Sequence, residues 1–266
     1  LLAGLVLGYV WILVQELLDK SLKGPEDVRE ALTAPVLGVL PKDPSSLRLG
    51  RDVQAEVEER LRATRTNLLH ALSHGARQVV VVTSAGPQEG ASETAAGLAR
   101  VLALSGHRVV LVGGDLRSPS TVGAQGGPGL AEVLAGSARL RQVLVEGEVA
   151  GLELLPAGEM PENPSELLGR NMSDLLQHLA SDRIVVIDAP PVCRFTDAVV
   201  LAAYAGGVLL VARAGRTTAE GLCEAALAVE QGGGRMLGVV LTNVSDVGRG
   251  GQGIQAGATH SESVTV

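Results

Sequence analysis

Five short runs constrain this chain more than any other feature: 78–83 (QVVVVT), 108–112 (RVVLV), 184–188 (IVVID), 207–212 (GVLLVA) and 237–242 (LGVVLT). Their apolar positions do not alternate with polar ones, so each predicts a strand buried on both faces. Residues 152–155 predict a further short strand. The intervening segments carry helical signals. Residues 52–72 are long, charged and free of proline. Residues 92–105 place Leu98, Val101 and Leu102 at helical spacing, and Gly106 suits a C-terminal cap. A helical stretch begins over 129–134. Asn163-Pro164-Ser165-Glu166 opens another helix, with a capping residue, a proline at the first position and capping-box spacing. Strands alternating with helices predict an α/β fold, a parallel sheet with helices on both faces. The 266 residues hold one such domain with flanking pieces.

The flanks differ in character. Residues 1–14 (LLAGLVLGYVWILV) are apolar but shorter than the ~20 residues a membrane span needs. The run fits the end of a span, a signal-peptide core or a buried helix. No basic residues precede it, as a signal peptide would require, while Lys20 and Lys23 follow it as at a cytoplasmic exit. We therefore expect 1–18 to be the C-terminal part of a transmembrane helix and 19–50 a juxtamembrane linker with a short extended piece. The main domain is expected over 51–245, followed by a Gly- and Ser-rich, disordered tail over 246–266. The net charge of -7 argues against nucleic-acid binding, which runs on basic residues neutralising phosphates. Cys193 and Cys223 form no C-x-x-C pair, and His70 and His74 lack the intervening acid of an H-E-x-x-H site.

In a parallel α/β sheet, ligands bind beyond the carboxyl ends of the strands. The turn after QVVVVT reads Ser84-Ala85-Gly86-Pro87-Gln88-Glu89-Gly90-Ala91-Ser92-Glu93. A phosphate loop needs glycines so that backbone N–H groups can curl around phosphate. It also needs a lysine for the β- and γ-phosphates and a Ser or Thr hydroxyl for Mg²⁺. Here Ser92 follows Gly90 at the right distance, but the lysine position holds Ala91. The chain's only lysines are Lys20, Lys23 and Lys42, so no lysine of the main domain can move in.

These motifs resemble those of the bacterial tyrosine kinases (BY-kinases). SAGPQEGAS is similar to their SAGPGEGKS loop, VVLVGGDLRSPS to their second acidic motif VLLVDADLRRP, and IVVIDAPPV to their Walker B strand. LPAGEMPENPSELL and LGVVLTNV match further segments, and GPEDVREALTAPVLGVLP resembles the membrane link of their polysaccharide co-polymerase partner. The resemblance implies a P-loop fold of the MinD/ParA type. It implies nucleotide contacts at Gly86, Gln88, Glu89, Gly90, Ala91, Ser92 and Glu93. ATP or ADP would carry Mg²⁺ on Ser92, Asp115 and Asp188, the two aspartates being vestigial catalytic residues. Gly113 stands where the family's first acidic-motif aspartate helps deprotonate the attacking hydroxyl, and Glu93 where threonine is usual. Arg117 is the nearest basic candidate for the missing charge.

Glu59, Arg62 and Arg65 lie along one side of the long helix as E-x-x-R-x-x-R. Alone they read as a solvated face; the resemblance makes them an oligomer interface that joins subunits into a ring. The tail has no tyrosine, since Tyr9 and Tyr204 are the only two in the chain, so the family's autophosphorylation target is missing. The resemblance thus implies the cytoplasmic regulatory and assembly domain of a co-polymerase in the inner membrane, acting with capsule or exopolysaccharide polymerisation and export machinery as a pseudokinase. A weak tyrosine autokinase or ATPase and a MinD-like nucleotide switch remain open.

Overall fold

The computed structural model describes residues 20–42, 51–72, 77–118, 122–123 and 126–244. The apolar run expected to end a membrane span and the tail after 245 lie outside them, and no described helix is long and apolar enough to cross a membrane. In chain order the elements are α1 (Pro25–Ala31), β1 (Val36–Pro41), α2 (Arg51–Leu72), β2 (Val79–Ser84), α3 (Ala91–Leu104), β3 (Val109–Gly113), α4 (Leu130–Ala135), α5 (Leu140–Val143), β4 (Val145–Glu146), β5 (Leu152–Leu155), α6 (Pro164–Leu179), β6 (Ile184–Asp188), α7 (Asp197–Tyr204), β7 (Gly207–Arg213), α8 (Ala219–Gln231) and β8 (Met236–Val244).

The eight strands form one sheet in the order β1-β8-β7-β2-β6-β3-β5-β4. Every pairing is parallel except that of β4 with β5 at one edge. Strand periodicity explains the two cores. Val79 and Val81 face one layer with Leu168, Leu176 and Leu222, while Val80 and Val82 face the other with Leu68, Leu98 and Leu102. All four β2 valines are fully buried, as the uninterrupted apolar run requires. Truncating a core leucine such as Leu98 to alanine would cost roughly 2–5 kcal/mol.

Residues 20–42 of the segment expected to be a linker are built into the domain, its short extended piece as β1. Val36–Pro41 pairs with β8 as an edge strand, and α2 crosses it so closely that a Cβ on Gly38 would lie 2.0 Å from Thr64 Oγ1. Further upstream, Leu22 is buried; its N–H donates to the Thr217 carbonyl at 2.8 Å and its carbonyl accepts from Gly215 N–H at 2.8 Å. Ser21 bridges to Thr218 beside it. Residues 20–23 are therefore strapped to the loop that leaves β7.

The helix at Pro164 starts where its proline predicts, but the Asn163 side chain makes no capping bond. Ser165 bonds to Asp197 instead, and Glu166 is solvent-exposed.

Candidate functional site

The loop after β2 lies mid-sheet, at the carboxyl edge, between β6 and β7. Two left-handed residues shape it: Gln88 at φ 60° and Gly90 at φ 93°. Glycine adopts such a conformation freely, whereas Gln88 stores strain of the kind that collects at ligand-binding turns. Gly90 is the N-cap of α3, and its carbonyl accepts from both the N–H and the Oγ1 of Thr94, at 3.0 and 2.6 Å. The N-terminus of the 14-residue α3 then opens onto the loop, and its first-turn N–H groups favour an anion there.

Glu89 holds the loop from beneath. Its carboxylate is buried and accepts Gly86 N–H at 3.1 Å and Thr217 Oγ1–H at 2.7 Å. Thr217 Oγ1 accepts Arg213 N–H in turn, and Thr242 Oγ1 donates to the Glu89 carbonyl at 2.7 Å. Burial pushes the Glu89 carboxyl up. The Thr217 hydroxyl, the Gly86 and Ala85 N–H groups and the Arg216 charge oppose that shift without cancelling it. Expected as a nucleotide contact, Glu89 spends its side chain on the protein itself.

Ser92 Oγ donates to Asp188 Oδ1 at 3.0 Å, which brings a hydroxyl and a carboxylate together at the loop's end. In the β3–β6 register Gly113 sits beside Asp188, and Gly114 N–H donates to the Asp188 carbonyl at 2.7 Å. Asp115 follows at the same edge, where its Oδ1 accepts Arg117 N–H at 3.0 Å. Burial raises the Asp115 carboxyl and the nearby Asp197 charge adds to the rise; the N–H groups of Arg117 and Ser118 and the Arg117 charge oppose it. Oxygen donors of this kind suit a hard cation such as Mg²⁺.

A cavity of about 320 Å³ flanks the loop. Gln88, Gly90, Glu93 and Arg213 form its polar side, and Leu40, Val57 and Leu61 an apolar wall.

No protein-family model matches the chain. Among solved structures, the BceF tyrosine kinase domain is 31% identical with a TM-score of 0.74, over 84% of this chain and 99% of that one. The chain belongs to the bacterial tyrosine kinase family. A curated relative, the putative tyrosine-protein kinase EpsB of Ralstonia nicotianae, is 34% identical to this BY-kinase chain over 235 residues, or 81% of this chain and 31% of the relative. The chain thus spans about a third of that relative's length. The septum site-determining protein MinD of Pyrococcus horikoshii shares the fold at a TM-score of 0.51 and 19% identity, over 61% of this chain and 69% of that one.

Against its family's loop, this BY-kinase domain lacks the lysine, and Arg117 does not replace it. The Arg117 guanidinium is engaged by buried Asp197, Nε to Oδ2 at 2.6 Å and Nη2 to Oδ1 at 3.2 Å, and lies 4.9 Å above the Phe195 ring. That pairing also raises the Arg117 pKa. Glu93, whose direction the sequence leaves open, lines the cavity beside the loop. Its carboxylate would repel a phosphate at ~5 Å by roughly 3 kcal/mol per unit charge at an effective dielectric near 20.

On α2 of the BY-kinase domain, Arg62 pairs with Glu58 at 2.7 Å and Glu59 at 3.3 Å on the exposed side. Arg65 instead turns onto α3, where its Nη1 donates to the Val101 carbonyl at 3.4 Å. The motif's three members therefore do not present one continuous charged row.

No sequence motif marks Thr217, Thr242 or Asp197. Thr217 meets Glu89 across 128 positions and Asp197 meets Arg117 across 80, so no local pattern carries either pairing.

Proposed function

We propose that this chain is a regulatory and assembly domain of a membrane polysaccharide co-polymerase that binds an adenine nucleotide but does not transfer phosphate to tyrosine. The observation that carries the reading is Ala91 in an otherwise shaped phosphate loop, with Arg117 locked to Asp197 rather than free to stand in for lysine. Gly113, in place of an acidic residue beside Asp188, removes a second component of phosphoryl transfer. Losing one transition-state donor alone costs about 10²–10³ in rate. Nucleotide binding is supported by the left-handed turn, the open N-terminus of α3 and the flanking cavity. MinD, of the same fold, is known as a complex with Mg-ADP.

Ser92 and Asp188, with Asp115 at the same edge, would hold Mg²⁺, whose charge offsets that of the phosphates. The chain's own residues supply the rest. Backbone N–H groups of the loop orient the phosphates, Glu89 fixes the curvature of the loop, and the apolar wall of Leu40, Val57 and Leu61 excludes water from one side. As an assembly domain the chain would join copies of itself at the inner membrane through Glu59 and Arg62, alongside polymerisation and export machinery.

Calorimetric titration with Mg-ADP and Mg-ATP, followed by labelled-ATP incorporation, tests the reading. Binding without labelling is expected. Ala91→Lys should tighten binding yet yield no phosphotyrosine; adding Gly113→Asp and a tyrosine-rich tail should recover some. Incorporation by the unaltered chain, abolished by Asp188→Asn, would instead establish a working kinase.

A further inference from the structure

Arg213 is the last residue of β7, and its side chain reaches across to the phosphate loop. Its Nη1 donates to the Gln88 carbonyl at 3.1 Å. Among the described residues it makes no ion pair, unlike Arg117, so the charge of Arg213 is not consumed by a carboxylate. The residue also lines the cavity together with Gly90 and Glu93. A guanidinium has five N–H donors in a planar fork, and the bond to Gln88 uses one.

We infer that Arg213 supplies this chain's phosphate-reading cation, replacing from the cavity side the charge that Ala91 no longer supplies from the helix. This rests on the nucleotide-site reading above and deepens it by naming the ligand class, a nucleoside diphosphate. The loop carbonyl at Gln88 anchors the guanidinium beside the left-handed turn, while the N-terminus of α3 faces the same space. One arginine balances the first phosphates. A third phosphate gains nothing, because Ala91 offers no side-chain donor and the acidic residue Glu93 lines the same cavity. The site therefore favours diphosphate over nucleoside and does not favour triphosphate over diphosphate.

Binding of adenosine, Mg-ADP and Mg-ATP to the whole chain, measured by calorimetry in wild type, Arg213→Gln and Arg216→Gln, tests this. Arg216 is the control, an arginine three positions on that is not among the cavity-lining residues. In wild type, ADP should bind about 10- to 100-fold more tightly than adenosine, the range of a charge-assisted contact, with ATP no tighter than ADP. In Arg213→Gln that advantage should vanish while adenosine binds as before, and Arg216→Gln should keep it. Ala91→Lys placed in the Arg213→Gln background should restore the advantage from the helix side. If Arg213→Gln fails to fold for want of its Gln88 bond, Arg213→Lys takes its place and should keep only part of the advantage. An ADP advantage that survives loss of Arg213, or falls equally in Arg216→Gln, overturns the role of Arg213 while leaving the nucleotide site intact. Wild type binding adenosine and ADP equally does the same. Failure of all three ligands to bind overturns the site itself.

Discussion

Replacing Glu89 tests whether the loop is held from below by a buried acid. Glu89→Ala removes the acceptor for Thr217 Oγ1–H, which is buried, and for Gly86 N–H, which is partly so. A stranded buried donor costs about 1–3 kcal/mol. With the half-exposed Gly86 near the bottom of that range, the total comes to roughly 2–4 kcal/mol. Glu89→Gln keeps an oxygen for Thr217 and removes a carboxylate whose burial is unfavourable, so its cost should stay within about 1 kcal/mol at neutral pH. The pH dependence gives an independent sign. Because the folded-state pKa is raised above its ordinary 4.5, Glu89 contributes stability that is full below that value and lost as pH rises through the folded pKa. Wild type should therefore lose stability on moving up from about pH 4.5, and Glu89→Gln should lack that part of the decline. Asp115 is raised in the same direction, and its share should persist in the variant. Urea denaturation followed by circular dichroism across pH 4–8 reads both effects. Equal damage by the two substitutions, or a pH profile in Glu89→Gln parallel to wild type, would refute the argument.

Three further outcomes follow from the packing. Arg117→Ala leaves Asp197 fully buried without its cation and should cost roughly 3 kcal/mol, low in the buried-pair range because Arg117 is partly exposed; adding Asp197→Asn should recover much of it in denaturant titrations. Gly38→Ala drives a methyl into Thr64, which is short, branched and buried, and should cost roughly 1–3 kcal/mol, with the double variant carrying Thr64→Ala less damaged than the two single costs summed. Arg62→Glu should release monomers by light scattering if α2 joins subunits, since stranding a buried partner costs ~2–5 kcal/mol; an unchanged mass would remove α2 from the interface.

The sheet was legible because its strands are buried on both faces. The runs at 152–155 and 184–188 match β5 and β6 to the residue, and the others shift by one or two positions at their ends. Edge strand β1 read only as a short extended piece within a linker, because Pro35, Gly38 and Pro41 interrupt its pattern and only pairing with β8 gives it a partner. Within the site, the loop and its missing lysine could be read from spacing, and Ser92 meets Asp188. Side-chain direction could not. Glu89 sits among loop residues yet faces inward, and Glu93, four positions on, lines the cavity. Arg213 closes an apolar run that reads only as strand, so its reach over the loop depends on β7 lying next to β2.

The strap at residues 20–23 alters how force reaches the loop. Leu22 is bonded to Gly215 and Thr217, and the hydroxyl of that same Thr217 holds Glu89, whose other oxygen holds Gly86. Only a few hydrogen bonds in series separate the segment next to the apolar run from the phosphate turn. A hinge of free chain would let the domain swivel beneath whatever precedes it and would dissipate any pull. Here residues 21 and 22 are bonded rather than free, so a displacement of Leu22 would meet Thr217 first, the residue that also holds Glu89. Residues 20–23 thus belong to the support of the loop.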